Sequence, residues 1–300
     1  MEEVKDRILH LKESLHAVIV AHNYELPEVQ DVADFVGDSL ELSRKCTEVD
    51  ADVIVFCGVR FMAETAAIVN PQRQVLLSEA EAGCPLADMV DVPTVKEWKA
   101  KCPGAAVVCY VNSTAEVKAE SDICCTSANA VKVVNSLPND DILFIPDYNL
   151  GHYASTKTEK HIILYPGFCP PHQRVKPQHI ERAKEQYPDG VVLVHPECAP
   201  EVVALADAAL STSQILRYVN SSPAKTFLIG TEQGLLHRMR QENPDKSLHL
   251  LTNELLCQDM KKTTLNSVVR TMEERRNTVV VPEEVRVRAK VAIDRMLALP

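Results

Sequence analysis

Three cysteines recur at matching places in a threefold internal repeat. They are Cys84, Cys169 and Cys257, which lie 85 and 88 residues apart. An aspartate followed five positions later by a hydroxyl residue recurs at steps of 88 and 85 residues, as Asp34-x4-Ser39, Asp122-x4-Ser127 and Asp207-x4-Thr212. A repeat of this length is one α/β unit, longer than a solenoid repeat. Three such units around a pseudo-threefold axis would aim three thiols and three hydroxyls at one central point.

Thiols at equivalent positions of a repeat indicate a metal or cluster site. Three thiolates are too few to close a tetrahedral structural zinc site. They suit either a cubane iron–sulfur cluster with one iron left for substrate or a zinc ion with an open position. The other seven of the ten cysteines are scattered, mostly in apolar or helical stretches. We interpret those seven as small buried hydrophobic residues.

The three hydroxyl residues Ser39, Ser127 and Thr212 open predicted helices. Free backbone N–H groups and the positive end of the helix dipole favour a bound carboxylate or phosphate at such places. Ser and Thr are also good helix caps, which is the simpler interpretation of each one alone. Because a cap has no reason to keep step with a cysteine, the triplication favours an anion site.

Titratable side chains follow the predicted strands. His22 and His195 hold equivalent places in the first and third repeats. Tyr24, Tyr110 and Glu197 are able to act as acid or base, or to hold the histidines in place. Polar residues that follow parallel strands lie at the edge of the sheet where ligands bind.

Continuously apolar strands alternate with helical stretches in each repeat, which is typical of parallel sheets covered on both faces. We predict an α/β fold of three pseudo-threefold-related, three-layer domains, each with a short parallel sheet, around a central site. The predicted units are residues 1–84, 85–170 and 171–260. The helical tail, residues 261–300, is predicted to pack on the first unit.

Composition limits the possible functions. The chain has 300 residues, of which 46% are hydrophobic and 25% charged, as in an ordinary globular protein. A formal charge of −10 argues against a nucleic-acid partner, because such binding depends on clustered Lys and Arg. The N-terminal stretch lacks the features of a signal peptide, and no apolar run approaches the ~20 residues of a membrane span. We therefore expect a cytoplasmic protein with no membrane partner.

The chain resembles the quinolinate synthase family over nearly its whole length. The similar segments include AHNYELPEVQDVADFVGDSLELSRK, GVRFMAETA, EAGCPLADM, CYVNSTAEVKAESDICCTSANA, FIPDYNLG, GFCPPH, HPECAPEV, STSQILRYV, GTEQGLLHR and KKTTLNSV. The motifs HNYELPEVQDVAD and HPEC-x-PEV are specific, and they occur together. The resemblance implies a three-domain pseudosymmetric fold with a [4Fe–4S] cluster at its centre.

The resemblance also implies a reaction and a role for each residue. The reaction would condense iminoaspartate with dihydroxyacetone phosphate to quinolinate, with loss of phosphate and water, and an aspartate-oxidising enzyme would supply the iminoaspartate. Cys84, Cys169 and Cys257 would hold the cluster, whose open iron would act as a Lewis acid. Tyr24, His195 and Glu197 would handle proton transfers. The implied substrate-binding residues are His22, Ser39, Tyr110, Asn112, Ser127, His172, His195, Glu197, Ser211 and Thr212.

Two other classes of function fit the residues alone. One is a zinc-dependent lyase or hydrolase with three cysteine ligands and one water. The other is a non-catalytic sensor that uses the central anion site to bind a metabolite or an iron–sulfur cluster. Iron and sulfide content would distinguish the zinc enzyme from a cluster enzyme. Turnover would distinguish a cluster enzyme from the non-catalytic sensor.

Overall fold

The structure is a computed structural model that describes residues 2–299. Its first unit is built around four short strands, of which the third is buried at every residue. The elements in chain order are α1 (Glu2–Leu15), β1 (Ala17–His22), α2 (Pro27–Val32), β2 (Phe35–Gly37), α3 (Ser39–Glu48), β3 (Val53–Cys57), α4 (Arg60–Val69) and β4 (Gln74–Leu77). A 3-10 turn at Ala87–Met89 follows.

The second and third units repeat this order. The second contains α5 (Val92–Lys101), β5 (Ala106–Tyr110), α6 (Ala115–Ala119), β6 (Ile123–Cys125), α7 (Ala130–Ser136), β7 (Asp141–Ile145), α8 (Tyr148–Ser155), β8 (His161–Leu164) and α9 (Pro170–Gln173). The third contains α10 (Pro177–Gln186), β9 (Val191–Val194), α11 (Pro200–Val203), β10 (Ala208–Ala209), α12 (Thr212–Ser221), β11 (Thr226–Gly230), α13 (Leu235–Glu242), β12 (Ser247–Leu250) and a 3-10 turn at Met260–Lys262.

The three sheets share one topology and one register. Their strand orders are β2-β1-β3-β4, β6-β5-β7-β8 and β10-β9-β11-β12, with all neighbours parallel. The equivalent pairs between the first and third strands of each unit are Val20↔Phe56, Val108↔Phe144 and Leu193↔Ile229. These pairs keep the 88- and 85-residue steps seen in the sequence. The predicted α/β fold of three units, each with a short parallel sheet, is confirmed.

The repeated aspartates join the start of the short edge strand of each sheet to the neighbouring strand by hydrogen bonds. The Oδ2 atom of each accepts a hydrogen bond from a backbone N–H at the start of the central strand, and the pairs are Asp34–Ile19 at 2.8 Å, Asp122–Val107 at 2.8 Å and Asp207–Val192 at 2.7 Å. The N–H of each aspartate donates back to the carbonyl of the same strand residue at 2.8, 3.0 and 3.0 Å. The aspartate of the repeated motif is therefore structural. Only the Ser or Thr of the motif is left to contribute to a site.

The C-terminal tail forms two helices that pack in different places. The first, α14 (Leu265–Glu274), contacts α1, β3 and β4 of the first unit. The second, α15 (Glu283–Leu297), lies mainly on α6 and β6 of the second unit. The prediction that the whole tail packs on the first unit is therefore wrong for α15.

Polar contacts explain where α15 lies. Arg288 forms a 2.8 Å ion pair with Glu120, and Arg295 donates to the Asp122 carbonyl at 2.6 Å. The buried face includes Ala289 and Ala292, whose small side chains let the helix approach the second unit closely. The mixed charge of the tail, interpreted from the sequence as a solvated face, thus includes these specific anchors. Among residues 2–299, no helix is both long and apolar enough to cross a bilayer.

Candidate functional site

A central cavity lies where the carboxyl ends of the strands of all three units meet. Thirteen of the fourteen residues predicted from the sequence line it, namely His22, Tyr24, Ser39, Cys84, Tyr110, Asn112, Ser127, Cys169, His172, His195, Glu197, Thr212 and Cys257. Strand ends place several of them, because β1 ends at His22, β5 ends at Tyr110, and His195 follows β9. Parallel strands direct their carboxyl ends to one edge, which accounts for the convergence.

Ser211 is the predicted residue that does not line this cavity. It is fully buried and is the N-cap of α12, where its hydroxyl accepts from the Gln214 N–H at 3.4 Å. The Gln214 side chain accepts in return from the Ser211 N–H at 2.9 Å, which completes a capping box. Ser211 therefore begins the helix that presents Thr212.

The three repeated hydroxyls are not helix caps in this structure. Asp38 caps α3 and leaves Ser39 as the first helical residue. Ser211 does the same for Thr212 in α12, and Ser127 lies before Asn129, which is the N-cap of α7. The capping interpretation therefore does not apply, and the three hydroxyls face the cavity, where Ser127 Oγ lies 3.1 Å from His195 Nε2 and Thr212 Oγ1 lies 2.9 Å from the Tyr24 hydroxyl.

Tyr24 joins the first unit to the third inside the cavity. Its hydroxyl lies 2.9 Å from Thr212 Oγ1 and 2.6 Å from Thr231 Oγ1, and both contacts are buried. Burial raises the pKa of Tyr24 well above its usual range, so the phenol keeps its proton. Tyr24 is thus a neutral hydrogen-bond donor or acceptor between the two units.

One carboxylate oxygen of Glu197 contacts two histidines whose rings stack on each other. Its Oε2 atom is 2.8 Å from His172 Nδ1 and 3.2 Å from His195 Nδ1, and the two rings are 4.5 Å apart at 20°. Burial by itself disfavours the charged carboxylate, but the two histidines hold the pKa of Glu197 well below its usual range. Burial lowers the pKa of His195. A carboxylate between two imidazoles is an arrangement that can accept and return protons.

The loop after β5 presents one further predicted residue, Asn112. Asn112 Oδ1 is a buried acceptor with no hydrogen-bond partner among the described residues. Two hydrogen bonds fix this loop. The fully buried Lys118 donates to the Ser113 carbonyl at 2.5 Å, and the Ser113 hydroxyl donates to the Tyr110 carbonyl at 2.9 Å. A free amide oxygen on a fixed loop is suited to binding a polar ligand.

Cys84, Cys169 and Cys257 reach the cavity from loops that follow β4, β8 and β12. Burial raises the pKa of all three thiols, that of Cys257 to about 11. Three buried thiolates would repel one another unless a cation lay between them. A bound metal centre is the group that fits such a donor set.

The spacing of the sulfurs distinguishes between metal centres. One tetrahedral zinc with bonds of ~2.3 Å to three thiolates would hold the sulfurs roughly 3.8 Å apart. In the described part of the chain, the three sulfur atoms are not all within 4.8 Å of one another. A polynuclear cluster does not require sulfurs this close together, because each thiolate binds a different iron.

Glu232 is a cavity residue that the predicted site omitted. Its Oε1 accepts from the Cys257 N–H at 3.2 Å and from Lys261 Nζ at 2.9 Å, while Lys261 also donates to the Tyr24 carbonyl. The pair therefore ties a cysteine of the third unit to the Tyr24 backbone of the first. The sequence did carry a signal, because Glu232 follows β11 at the place that Asp147 holds after β7.

Gly234 allows the third unit to approach Tyr24. A Cβ at this position would lie 2.8 Å from the Tyr24 backbone, although its φ of −59° suits any residue. We expect Gly234→Ala to lower the free energy of unfolding by about 1–3 kcal/mol through this overpacking, and to lower activity by shifting Tyr24. Urea unfolding checks this, with the exposed neighbour Gln233→Ala as the control. Equal stability of the two variants would contradict the prediction.

His22 is expected to make stability depend on pH. Burial, together with the nearby Lys261 ammonium, lowers the pKa of His22 to about 3. The unfolded chain, with a histidine pKa near ~6.5, then binds more protons than the folded chain between these values, so stability falls as pH falls. Urea unfolding of apoprotein between pH 4.5 and 6 should give a slope steeper than that of His22→Asn by up to ~1.4 kcal/mol per pH unit. Parallel slopes would show that His22 is charged when folded.

The sequence matches one family model and several curated proteins along nearly its whole length. The model described as quinolinate synthetase A protein matches residues 6–298. A protein named quinolinate synthase from Dehalococcoides mccartyi (strain BAV1) is 54% identical over 296 residues, which cover 99% of this chain and 98% of the relative.

Proteins of the same name from other organisms are similarly close. That of Thermodesulfovibrio yellowstonii is 52% identical, over 98% of this chain and 97% of its own length. That of Methanoregula boonei is 53% identical, over 99% of this chain and 98% of its own length. The match extends over all three units.

Proposed function

The chain belongs to the quinolinate synthetase A protein family, enzymes of NAD biosynthesis, and from this premise we propose the reaction it catalyses. We propose that it condenses iminoaspartate with dihydroxyacetone phosphate to quinolinate, phosphate and water. The observation that carries this proposal is one cavity lined by three thiols, by three hydroxyls that do not cap helices, and by the buried His172, Glu197 and His195. Membership of an enzyme family also removes the reason to retain the sensor interpretation.

Cys84, Cys169 and Cys257 would hold a [4Fe–4S] cluster, one per chain. A single zinc bound by all three would need sulfurs roughly 3.8 Å apart, and the three sulfurs do not all lie within 4.8 Å of one another, which favours a polynuclear centre. When bound, such a cluster supplies a Lewis acid at the iron that has no cysteine ligand. The remaining groups of the cavity belong to the chain itself, and they bind, orient and move protons.

Ser39, Ser127 and Thr212 would bind the substrate anions. None of the three hydroxyls caps a helix; Ser39 and Thr212 begin their helices, where the dipole favours negative charge, and Ser127 lies two residues before the N-cap of α7. Iminoaspartate brings two carboxylates and the triose brings a phosphate, so anion sites on three units suit this pair of substrates. His22, Tyr110 and Asn112 line the same space and would orient the bound molecules.

Glu197, His195 and Tyr24 would carry the protons. Forming a bond from a nitrogen or an enamine carbon releases a proton, and each departing hydroxyl or phosphate requires one. The Glu197 carboxylate lies within 3.2 Å of both histidines and stays charged, so it can hold a proton-carrying imidazole in place. The neutral Tyr24 phenol can donate to a developing oxyanion.

We also propose the cellular setting. All ten cysteines are free, which fits the reducing cytoplasm. Iminoaspartate is aspartate less two hydrogens, so an aspartate-oxidising enzyme would supply it.

The decisive experiment is anaerobic purification followed by analysis and turnover. We expect about four iron and four sulfide per chain, a brown colour, and quinolinate formed from the two substrates. A colourless zinc protein would refute the cluster. A cluster-loaded protein that forms no quinolinate from the two substrates would refute the reaction.

A further inference from the structure

One set of metal-ligating atoms in the cavity lies closer together than the sulfurs of the three cysteines do. Cys169 Sγ, His172 Nδ1 and a Glu197 oxygen all lie within 4.8 Å of one another, and no other such group of three occurs in residues 2–299. The Cys169 Sγ–His172 Nδ1 distance is 3.2 Å, and the His172 Nδ1–Glu197 Oε2 distance is 2.8 Å. His172 and Glu197 are almost completely buried.

These donors match those that bind zinc. Thiolate, imidazole and carboxylate bind zinc at ~2.3, ~2.0 and ~2.1 Å, and sites with three protein ligands keep the fourth position open. Tetrahedral geometry at these bond lengths would place sulfur and nitrogen about 3.6 Å apart, and nitrogen and oxygen about 3.4 Å apart. The distances of 3.2 and 2.8 Å need to increase by only about half an ångström.

The surrounding contacts would hold the ligands in place. His172 Nε2 lies 2.9 Å from Thr231 Oγ1, which leaves Nδ1 directed at Cys169 and Glu197. The Oε2 atom of Glu197 that contacts His172 also lies 3.2 Å from His195 Nδ1, and its Oε1 atom is buried with no hydrogen-bond partner among the described residues. Metal sites characteristically use such outer contacts to orient the imidazole and the carboxylate. An unpartnered buried carboxylate oxygen is a second sign that this place accepts a cation.

We propose that the chain without its cluster binds one zinc ion through Cys169, His172 and Glu197, with the fourth position open. Because Cys169 is also a proposed cluster ligand, zinc and the cluster exclude each other, and this second statement rests on the proposed function. Zinc bound in this way occupies the Glu197 carboxylate and His172 Nδ1 as well, so the zinc form cannot use that carboxylate to hold a proton-carrying imidazole. The site is therefore a point at which excess zinc would hold the protein in an inactive form.

The test uses the full-length double variant Cys84→Ala/Cys257→Ala, which keeps all three proposed zinc ligands. Iron-free protein is titrated with zinc against a chromophoric chelator, and with Co²⁺ as a spectroscopic probe. We expect one ion per chain and a thiolate-to-cobalt charge-transfer band. Adding Cys169→Ser should abolish the band, and adding His172→Ala or Glu197→Gln should weaken zinc binding at least ~10-fold, the scale of losing one contact around a metal. His249→Ala, a histidine stacked on Tyr187 in the third unit, is the matched control and should bind zinc normally.

The same titration of iron-stripped wild-type protein covers the case in which the double variant fails to fold. No zinc bound to either protein, or zinc bound equally after His172→Ala, would overturn the proposal. Iron and sulfide uptake by wild-type protein is then measured with and without one equivalent of zinc, and we expect zinc to block it. If bound zinc did not affect the uptake of iron and sulfide, the statement that zinc and the cluster exclude each other would be refuted. The zinc site itself would stand. Failure of the cluster to form even without zinc would refute the proposed function and leave the zinc site standing.

Discussion

Replacing Cys84, Cys169 or Cys257 by Ala is expected to remove the cluster entirely. Iron and sulfide should fall from about four of each per chain to near zero, and quinolinate formation should disappear with them. The physical reason is that each cysteine comes from a different unit, so no neighbouring thiol can replace a lost ligand. Anaerobic iron and sulfide analysis, alongside the visible spectrum, measures the effect.

Cys102→Ala is the matched control for this experiment. Cys102 follows α5 in the second unit and does not line the cavity, so its loss should leave iron content unchanged. Far-UV circular dichroism of each variant separates loss of ligation from loss of fold. Full iron content in Cys169→Ala would mean that this cysteine is not a ligand.

Glu197→Gln is expected to lower turnover by ~10²–10⁴-fold, the usual contribution of general acid–base catalysis. The change keeps the shape of the side chain but removes the charge that holds two imidazoles, at 2.8 and 3.2 Å. Because the residue is not one of the proposed cluster ligands, iron and sulfide content should stay near that of the wild type. Steady-state kinetics at several pH values, together with metal analysis, measures both quantities.

The control is the same substitution at an exposed site of the same unit. Glu201 lies in the first turn of α11 and is exposed, so Glu201→Gln should retain normal turnover. If Glu197→Gln also turned over normally, proton transfer would have to be assigned to Tyr24 or the histidines alone. Loss of iron in this variant would instead make Glu197 a structural support of the cluster.

The sequence by itself determined the repeated fold and the convergence of the site. The steps of 88 and 85 residues predicted which strand residues pair, as Val20↔Phe56 and its two counterparts show. This works because strand register is set by the apolar pattern within one unit, which is local in the chain. When three units of one topology pack around a common axis, residues after equivalent strands face a common centre, and thirteen predicted residues do line one cavity.

Capping and the course of the tail depended on geometry that patterns do not specify. The repeat predicted Ser39 and Thr212 at helix starts, but their neighbours Asp38 and Ser211 are the caps. A one-residue difference decides whether a hydroxyl caps a helix or faces a ligand, and helix boundaries are uncertain by that amount from sequence. The tail helix α15 lies on the second unit because its buried face, including Ile293 and Met296, packs in the core there, with contacts such as Arg288–Glu120 at its edge, and these residues are distant in sequence.

Only the tertiary structure decided which side chains meet across units. His172 meets Glu197, Tyr24 meets Thr212 and Thr231, and Lys261 meets the Tyr24 carbonyl because different units pack together. No local pattern specifies such contacts, since they depend on how whole units dock to within fractions of an ångström. The sequence thus determined which residues reach the centre, and packing between the units decided which of them touch.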